Sequence, residues 1–342
     1  MTHNPHTHTP ALDRTRSYTE TAPMAQNSAA WKATRVALIV GSGAVAVYIA
    51  VSLVSASNAP TNTLPGSTGG ASIALAQAAA AGDVNEITRQ LSNNADINAR
   101  EVLADGVPMS PLLHAASAGR SDAVATLLNS GARANDAIED QKDGRTALML
   151  AAFAGGPGGA ASVRALVAAG ARIEARAHDN WTALMFAASR GTPEAVDALV
   201  KAGASLEQRN RFLQTALMLA VAPRGEAAVV KALLDAGADI NATDVDGASP
   251  LILAAAALDE PDVLNLLIAR GANVNAADQD GVTPLMRAAD RAKADFIQLL
   301  LAAGASPAAK DRRGWTALTW AENRGDELGA AVLPLLQPAA NP

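Results

Sequence analysis

Ser249-Pro-Leu-Ile-Leu-Ala-Ala-Ala-Ala-Leu-Asp-Glu-Pro-Asp-Val-Leu-Asn-Leu-Leu-Ile-Ala-Arg-Gly-Ala-Asn-Val-Asn-Ala-Ala-Asp-Gln-Asp-Gly281 contains one complete structural unit. Ser249 precedes Pro250, and the pair suits a helix start. Proline at the first helical position gives up no needed N–H, and the serine hydroxyl can cap the free ones. A short alanine-rich helix is predicted from Leu251 to about Leu258. A second helix opens at Pro261 and carries Val263, Leu264, Leu266, Leu267 and Ile268 at helical spacing. Gly271 stands where a helix ends in a left-handed residue. From Ala272 to Asp280 the chain reads as extended, and Gly281 turns it into the next unit.

The opening phrase of that unit occurs seven times: Ser or Thr, Pro or Ala, Leu, an apolar residue or Thr, a variable residue, then Ala. It starts at Ser110, Thr146, Thr182, Thr215, Ser249, Thr283 and Thr316, at intervals of 36, 36, 33, 34, 34 and 33 residues. Self-similarity at one period marks a stacked solenoid, in which each unit buries its apolar face against its neighbours. Such a stack grows in one dimension, so 342 residues read as one elongated domain. Insertions at Asp136–Lys142 and Gly155–Gly159 are expected on loops, where added length leaves the stack intact.

These units resemble the ankyrin repeat. The matching features are the phrase itself, Leu-Leu ahead of Gly-Ala, and the Asp-x-x-Gly turn. Gly-Ala closes second helices at Gly131, Gly170, Gly203, Gly237, Gly271 and Gly304. The resemblance covers roughly residues 72 to 338, with Leu75 to Asn98 as a degenerate first unit. It implies an all-α solenoid of about eight helix-turn-helix units with short β-hairpin loops and polar terminal faces. One departure is consistent: where the family phrase has His after Leu, this chain has Leu113, Met149, Met185, Met218, Ile252, Met286 and Thr319. The hydrogen bonds of the family histidine are then expected to give way to apolar packing.

Composition narrows the chemistry. Only 3% of residues are aromatic against 49% apolar, so the core must be built from Ala, Leu and Val in close helix contact. Cysteine is absent, which removes disulfides, thiol nucleophiles, thiolate metal sites and cysteine lipidation. The excess of Arg over Lys, with abundant Ala, is the usage of a GC-rich bacterial genome. Net charge is −6, made of +2 over residues 1 to 35 and −8 over the rest. An acidic body disfavours nucleic acid as a partner, because binding phosphate needs a basic field.

Residues 1 to 35 show no hydrophobic period and read as a disordered cytoplasmic tail. Val36 to Val54 then runs 19 residues without a charge. At about 1.5 Å per helical residue this approaches the roughly 30 Å of a bilayer core, so the run reads as a transmembrane helix or uncleaved signal anchor. Lys32 and Arg35 flank its start, and the next charged residue is Asp83. The positive-inside rule therefore keeps the N-terminus in the cytoplasm and exports the rest. The competing reading is a cleaved signal peptide starting at Met24, with cleavage near Ala56 or Ala59, which would leave a soluble periplasmic chain. Residues 55 to 71 are uncharged and rich in Ser, Thr, Gly and Pro, a flexible linker.

No catalytic constellation is legible, and no cofactor or metal site is expected. His3, His6 and His8 lack acidic or thiol companions. His114 and His178 belong to no metal-ligand spacing, and His114 occupies a phrase position usually filled by Leu, which favours core packing. Gly155-Gly-Pro-Gly-Gly159 lacks the Lys and Ser/Thr of a phosphate loop and reads as a flexible loop. The phrase methionines read as core, not as copper ligands, and Asn180 and Asn241, which sit in glycosylation-type triplets, read as turn and strand residues.

The reading that follows is a non-enzymatic, monomeric, membrane-tethered periplasmic solenoid of the bacterial inner membrane that holds or modulates a protein partner. Phe153, Trp181, Phe212 and Trp315, with Arg176, Arg209, Arg211, Arg312 and Arg313 near them, are expected to form the binding surface, since aromatic and Arg residues dominate binding energy. The alternative is an exported accessory factor for a periplasmic enzyme such as a peroxide-detoxifying haem protein, or an immunity-type inhibitor of a toxin.

Overall fold

The computed structural model describes residues 70–337, except 104–105, 140–142, 191–192 and 222–225. The tail, the Val36–Val54 run and residues 55–69 of the linker lie outside the described residues. Among those described, no helix is long and apolar enough to cross a membrane.

Among the described residues sixteen α-helices follow one another. They are α1 (Gly70–Ala81), α2 (Val84–Ser92), α3 (Pro111–Ser117), α4 (Ser121–Asn129), α5 (Ala147–Ala154), α6 (Gly156–Ala168), α7 (Ala183–Arg190) and α8 (Pro193–Lys201). After these come α9 (Ala216–Ala220), α10 (Ala227–Asp235), α11 (Pro250–Ala257), α12 (Asp262–Ala269), α13 (Pro284–Asp290), α14 (Ala294–Ala302), α15 (Ala317–Arg324) and α16 (Glu327–Leu336). Odd-numbered helices stack in one layer and even-numbered helices in a second, and each odd helix packs on the even one after it. Helix α1 opens at Gly70, so Gly70 and Ala71, read as linker, are helical.

The phrase works as its chemistry predicts. Ser110, Thr146, Thr182, Thr215, Ser249, Thr283 and Thr316 each accept the backbone N–H three residues on, at 3.3 to 3.5 Å. Its Leu112, Leu148, Leu184, Leu217, Leu251 and Leu285 are buried, as are Leu127, Leu166, Leu199, Leu233, Leu267 and Leu300 of the second helices. Each such burial is worth about 1.5–3 kcal/mol. Phrase alanines Ala115, Ala151, Ala187, Ala254 and Ala288 are fully buried, small enough for helices to approach closely. Gly271 ends α12 at φ +88 with open space where a Cβ would stand, so the left-handed backbone alone selects glycine there. Side chains also bridge the second-helix ends: Asn241 accepts the Asn273 N–H at 2.9 Å and Asn275 accepts that of Ser306 at 2.8 Å.

Three expectations need correction. Met149, Met185, Met218 and Met286 are buried, but packing is not their only role. The sulfurs of Met149 and Met286 accept the N–H of Thr146 and Thr283 at 3.4 and 3.5 Å, a weak reciprocal cap. Gly156–Gly159 is not a loop but the first turn of α6. A Cβ at Gly158 would lie 2.2 Å from the Gly119 carbonyl oxygen and one at Gly159 2.8 Å from that of Ala151, so these glycines admit a close helix approach. Among the described residues the last unit presents no polar face, because α16 is largely apolar and leaves Leu328 62% exposed.

Candidate functional site

Between each second helix and the next phrase the chain makes a turn, and the first of these packs against α1 and α3. One turn is a true hairpin, β1 (Glu101–Val102) paired antiparallel with β2 (Pro108–Met109), and buried His114 meets the Glu101 carbonyl at 3.2 Å. The turn after α4 joins its arms by Ile138 N to Arg145 O at 2.9 Å and Ala147 N to Asp136 O at 3.0 Å, and later turns join theirs as from Asp244 N to Ala248 O and from Asp278 N to Val282 O, both at 3.1 Å. Successive tips are tied together. Arg211 N donates to Asp179 O, Val245 N to Phe212 O, Gln279 N to Asp246 O and Arg312 N to Asp280 O, at 2.8 to 3.0 Å.

The arginines expected to meet a partner mostly reinforce this row. Arg176 donates to the Gln208 side chain at 2.6 Å, Arg209 to the Thr243 carbonyl at 2.9 Å, and Arg211 to Asp179 Oδ1 at 2.6 Å. Arg312 lies 3.6 Å from Asp280, with both side chains well exposed. Such exposed pairs add little stability, and they orient neighbouring turns.

The aromatic residues fall into three groups. Phe153 on α5 meets Phe186 on α7 edge-on at 6.0 Å, Trp181 lies 5.0 Å from Phe186, and the Arg190 guanidinium sits 5.2 Å from the Phe153 ring centre. Arg211 stacks on Phe212 at 4.6 Å. At the far end Trp315 meets Trp320 at 6.2 Å under Arg313, and Arg287 lies 5.9 Å from Trp320. This last group is closed on itself: Trp320 Nε1 donates to Asp311 Oδ2, Arg313 Nε donates to the same oxygen, and Arg287 donates to Asp278, each at 3.2 Å. Trp181 and Trp315 also pack against the core. Phe186, Arg190, Arg287 and Trp320 were not picked out from the sequence. The signal for three of them is the variable phrase position, where Phe186, Arg287 and Trp320 stand in a column otherwise held by Leu150, Leu219 and Leu253, and by His114.

Turn chemistry sets the Asn210 tip apart from the three tips that follow it. Asp244, Asp278 and Asp311 each accept two backbone N–H groups on Oδ1, and a left-handed glycine follows three residues on: Gly247, Gly281 and Gly314. Asn210 makes the same two bonds, to the N–H groups of Phe212 and Gln214 at 2.9 Å, but the left-handed position holds Leu213 at φ +57. Leu213 is 44% exposed, and Val245 on the next tip is 43% exposed. A leucine in that conformation costs about 1–2 kcal/mol.

Burial opposes ionisation at Asp311, yet the Trp315 and Arg313 N–H groups and the Arg313 guanidinium outweigh it and hold the carboxyl below its ordinary range. At Asp244 burial wins and pushes the carboxyl up against the same pair of backbone bonds, helped by the charges of Asp246 and Asp278. Among the described residues no cluster of His, Asp and Glu is arranged to hold a metal.

A two-layer helical stack with a tied row of turns beside it is a repeat solenoid of the protein-interaction class. The family model "Ankyrin repeats (3 copies)" matches residues 75–177, 158–244 and 246–341, and the chain belongs to the ankyrin-repeat family. Ankyrin repeats generally mediate protein–protein contacts. The crystal structure of the ankyrin repeat domain of Bcl-3, described as a unique member of the IkappaB protein family, is similar to this chain at 31% identity and a TM-score of 0.56, covering 67% of this chain and 98% of that one. No curated protein sequence matches.

Proposed function

We propose that this protein is a membrane-tethered periplasmic ankyrin solenoid of eight units, monomeric and without catalytic activity, that holds a protein partner over the surface running from Phe153 through Trp181 and Phe212 to Val245. The observation that carries the binding surface is Leu213. It keeps an exposed apolar side chain in a backbone slot that the three later turns give to glycine and the preceding turn to Asn180, and it does so beside half-buried Phe212 and exposed Val245. Strain retained at an exposed tip is accounted for by a contact the side chain makes outside the fold. The surface is continuous, because the Arg211–Asp179 pair joins this tip to the Trp181 turn and the Val245 N–H bond joins it to the next. The tether and its orientation rest on the charge-free run Val36–Val54 behind Lys32 and Arg35.

A photo-crosslinking residue placed at 213 or 245 in cells should trap one and the same protein, while one at exposed Arg164 on α6 traps none. Equal trapping at all three positions would remove the binding surface. Alkaline phosphatase fused after Pro342 should be active, and activity of a cytoplasmic reporter there would reverse the orientation. If the trapped protein is an enzyme whose activity changes with this chain present, the partner reading narrows to an accessory factor.

A further inference from the structure

Repetition gives each turn carboxylate an internal control. Asp278 and Asp311 commit Oδ1 to two backbone N–H groups and offer Oδ2 to the side chain nine residues on. In the first case this is Arg287 and in the second Trp320, both donating at 3.2 Å. Asp244 is fixed in the same way, its Oδ1 accepting the N–H of Asp246 at 3.0 Å and of Ala248 at 2.8 Å, so its Oδ2 faces the equivalent position. That position is Leu253, which has no donor. Asp244 is 4% exposed, and Oδ2 has no hydrogen-bond partner among the described residues.

A carboxylate taken out of water without a donor is costly, and the cost vanishes only when a donor arrives or a proton binds. The flanking acids Asp246 and Asp278 make the locality negative, which favours a cation over a neutral donor. The next unit shows which cation fits: Arg287 reaches Asp278 from the Leu253-equivalent position with both side chains largely buried. Arg287 is committed there, and Leu253 is only half-buried, so the approach to Asp244 lies over Leu253. Asp244 also directly precedes Val245, the end of the proposed binding surface.

We propose that Asp244 Oδ2 is the receptor for an arginine side chain of the protein partner, its guanidinium crossing Leu253 to stand where Arg287 stands one unit later. This rests on the protein-binding reading and specifies the chemistry of the partner. A planar guanidinium offers several donors in a fixed fork, so one group can satisfy the carboxylate and reach a neighbouring turn carbonyl.

Random dodecapeptides displayed on phage and selected on the full chain in mild detergent test this directly. Enriched peptides should share an arginine, and its replacement by citrulline should weaken binding about tenfold, the loss of one charge-assisted pair. Asp244→Asn should weaken them similarly without any loss of stability, since Asn210 already holds the same turn in this molecule. Leu253→Arg, which brings an internal guanidinium to the carboxylate, should abolish binding, and Leu253→Met should leave it unchanged. Peptides without a shared arginine, or binding indifferent to both Asp244→Asn and Leu253→Arg, overturn the proposal. If such peptides still lose affinity with Leu213→Gly, the binding surface stands and only the arginine receptor falls. Selection that enriches nothing overturns both.

Discussion

Gly158, in the first turn of α6, stands against the carbonyl oxygen of Gly119 in the turn between α3 and α4, with 2.2 Å left for a Cβ that glycine does not have. Two effects compete in Gly158→Ala. Alanine favours the helix by about 1 kcal/mol, whereas forcing backbone atoms apart in a packed stack costs about 1–3 kcal/mol. Because the obstacle is backbone and not a flexible side-chain end, the clash should win. Denaturant unfolding should show a net loss of about 1–2 kcal/mol, and a gain would mean α6 shifts outward freely.

Met218 is 2% exposed in the middle of the stack. Met218→Ala should cost about 2–5 kcal/mol. A loss under about 0.5 kcal/mol would show that the site collapses around the smaller side chain or that the methionine faces solvent.

Leu213→Gly separates stability from binding. Relief of the left-handed leucine is worth about 1–2 kcal/mol, and the extra freedom of unfolded glycine returns about 0.5–1. The variant should therefore melt at or slightly above the parent while the crosslink to the partner at position 245 is lost. Lower stability with trapping intact would mean that Leu213 serves the fold. Trp181→Ala is a poorer probe, because Trp181 packs against both Phe186 and the core and would weaken folding and binding together.

Asp244 gives a pH signature. Folding raises its carboxyl above the ordinary 3.8, with burial as the main cause. The folded chain thus holds that proton more tightly, so the favourable contribution is complete below the unfolded value and is lost as pH rises through the folded one. Asp244→Asn removes the charge and keeps the turn. It should melt higher than the parent at pH 7.5, by of the order of 1 kcal/mol for one uncompensated buried acceptor. The advantage should shrink toward pH 4. A variant less stable than the parent at both pH values would show that the carboxylate is compensated after all.

Much of this architecture is legible because period, cap and turn all agree. Thr283-Pro284 at a helix start and Gly271 at a helix end mean the same thing in sequence and in space, since local sterics decide both. Gly156–Gly159 looks like a loop in sequence for the opposite reason. Glycine in a loop and glycine at a close helix approach look alike until the neighbour at Gly119 is known, and that neighbour lies a whole unit away in sequence. The proposed binding surface is only partly marked in the sequence. Trp181 and Phe212 stand out because aromatics are scarce, but Leu213 is an ordinary residue whose significance appears only when its φ is compared with Gly247, Gly281 and Gly314.

The four phrase methionines are 0–2% exposed, and two of them use their sulfur as an acceptor at a helix start. A peroxide molecule reaches such a sulfur only when its own unit opens, so the rate of sulfoxide formation at Met149, Met185, Met218 and Met286 reads out local opening unit by unit. Mass spectrometry of a peroxide time course would then rank the units along the stack. Oxidation at Met149 or Met286 would also cost the helix its reciprocal cap, so that damage, once begun, would hold its own unit open.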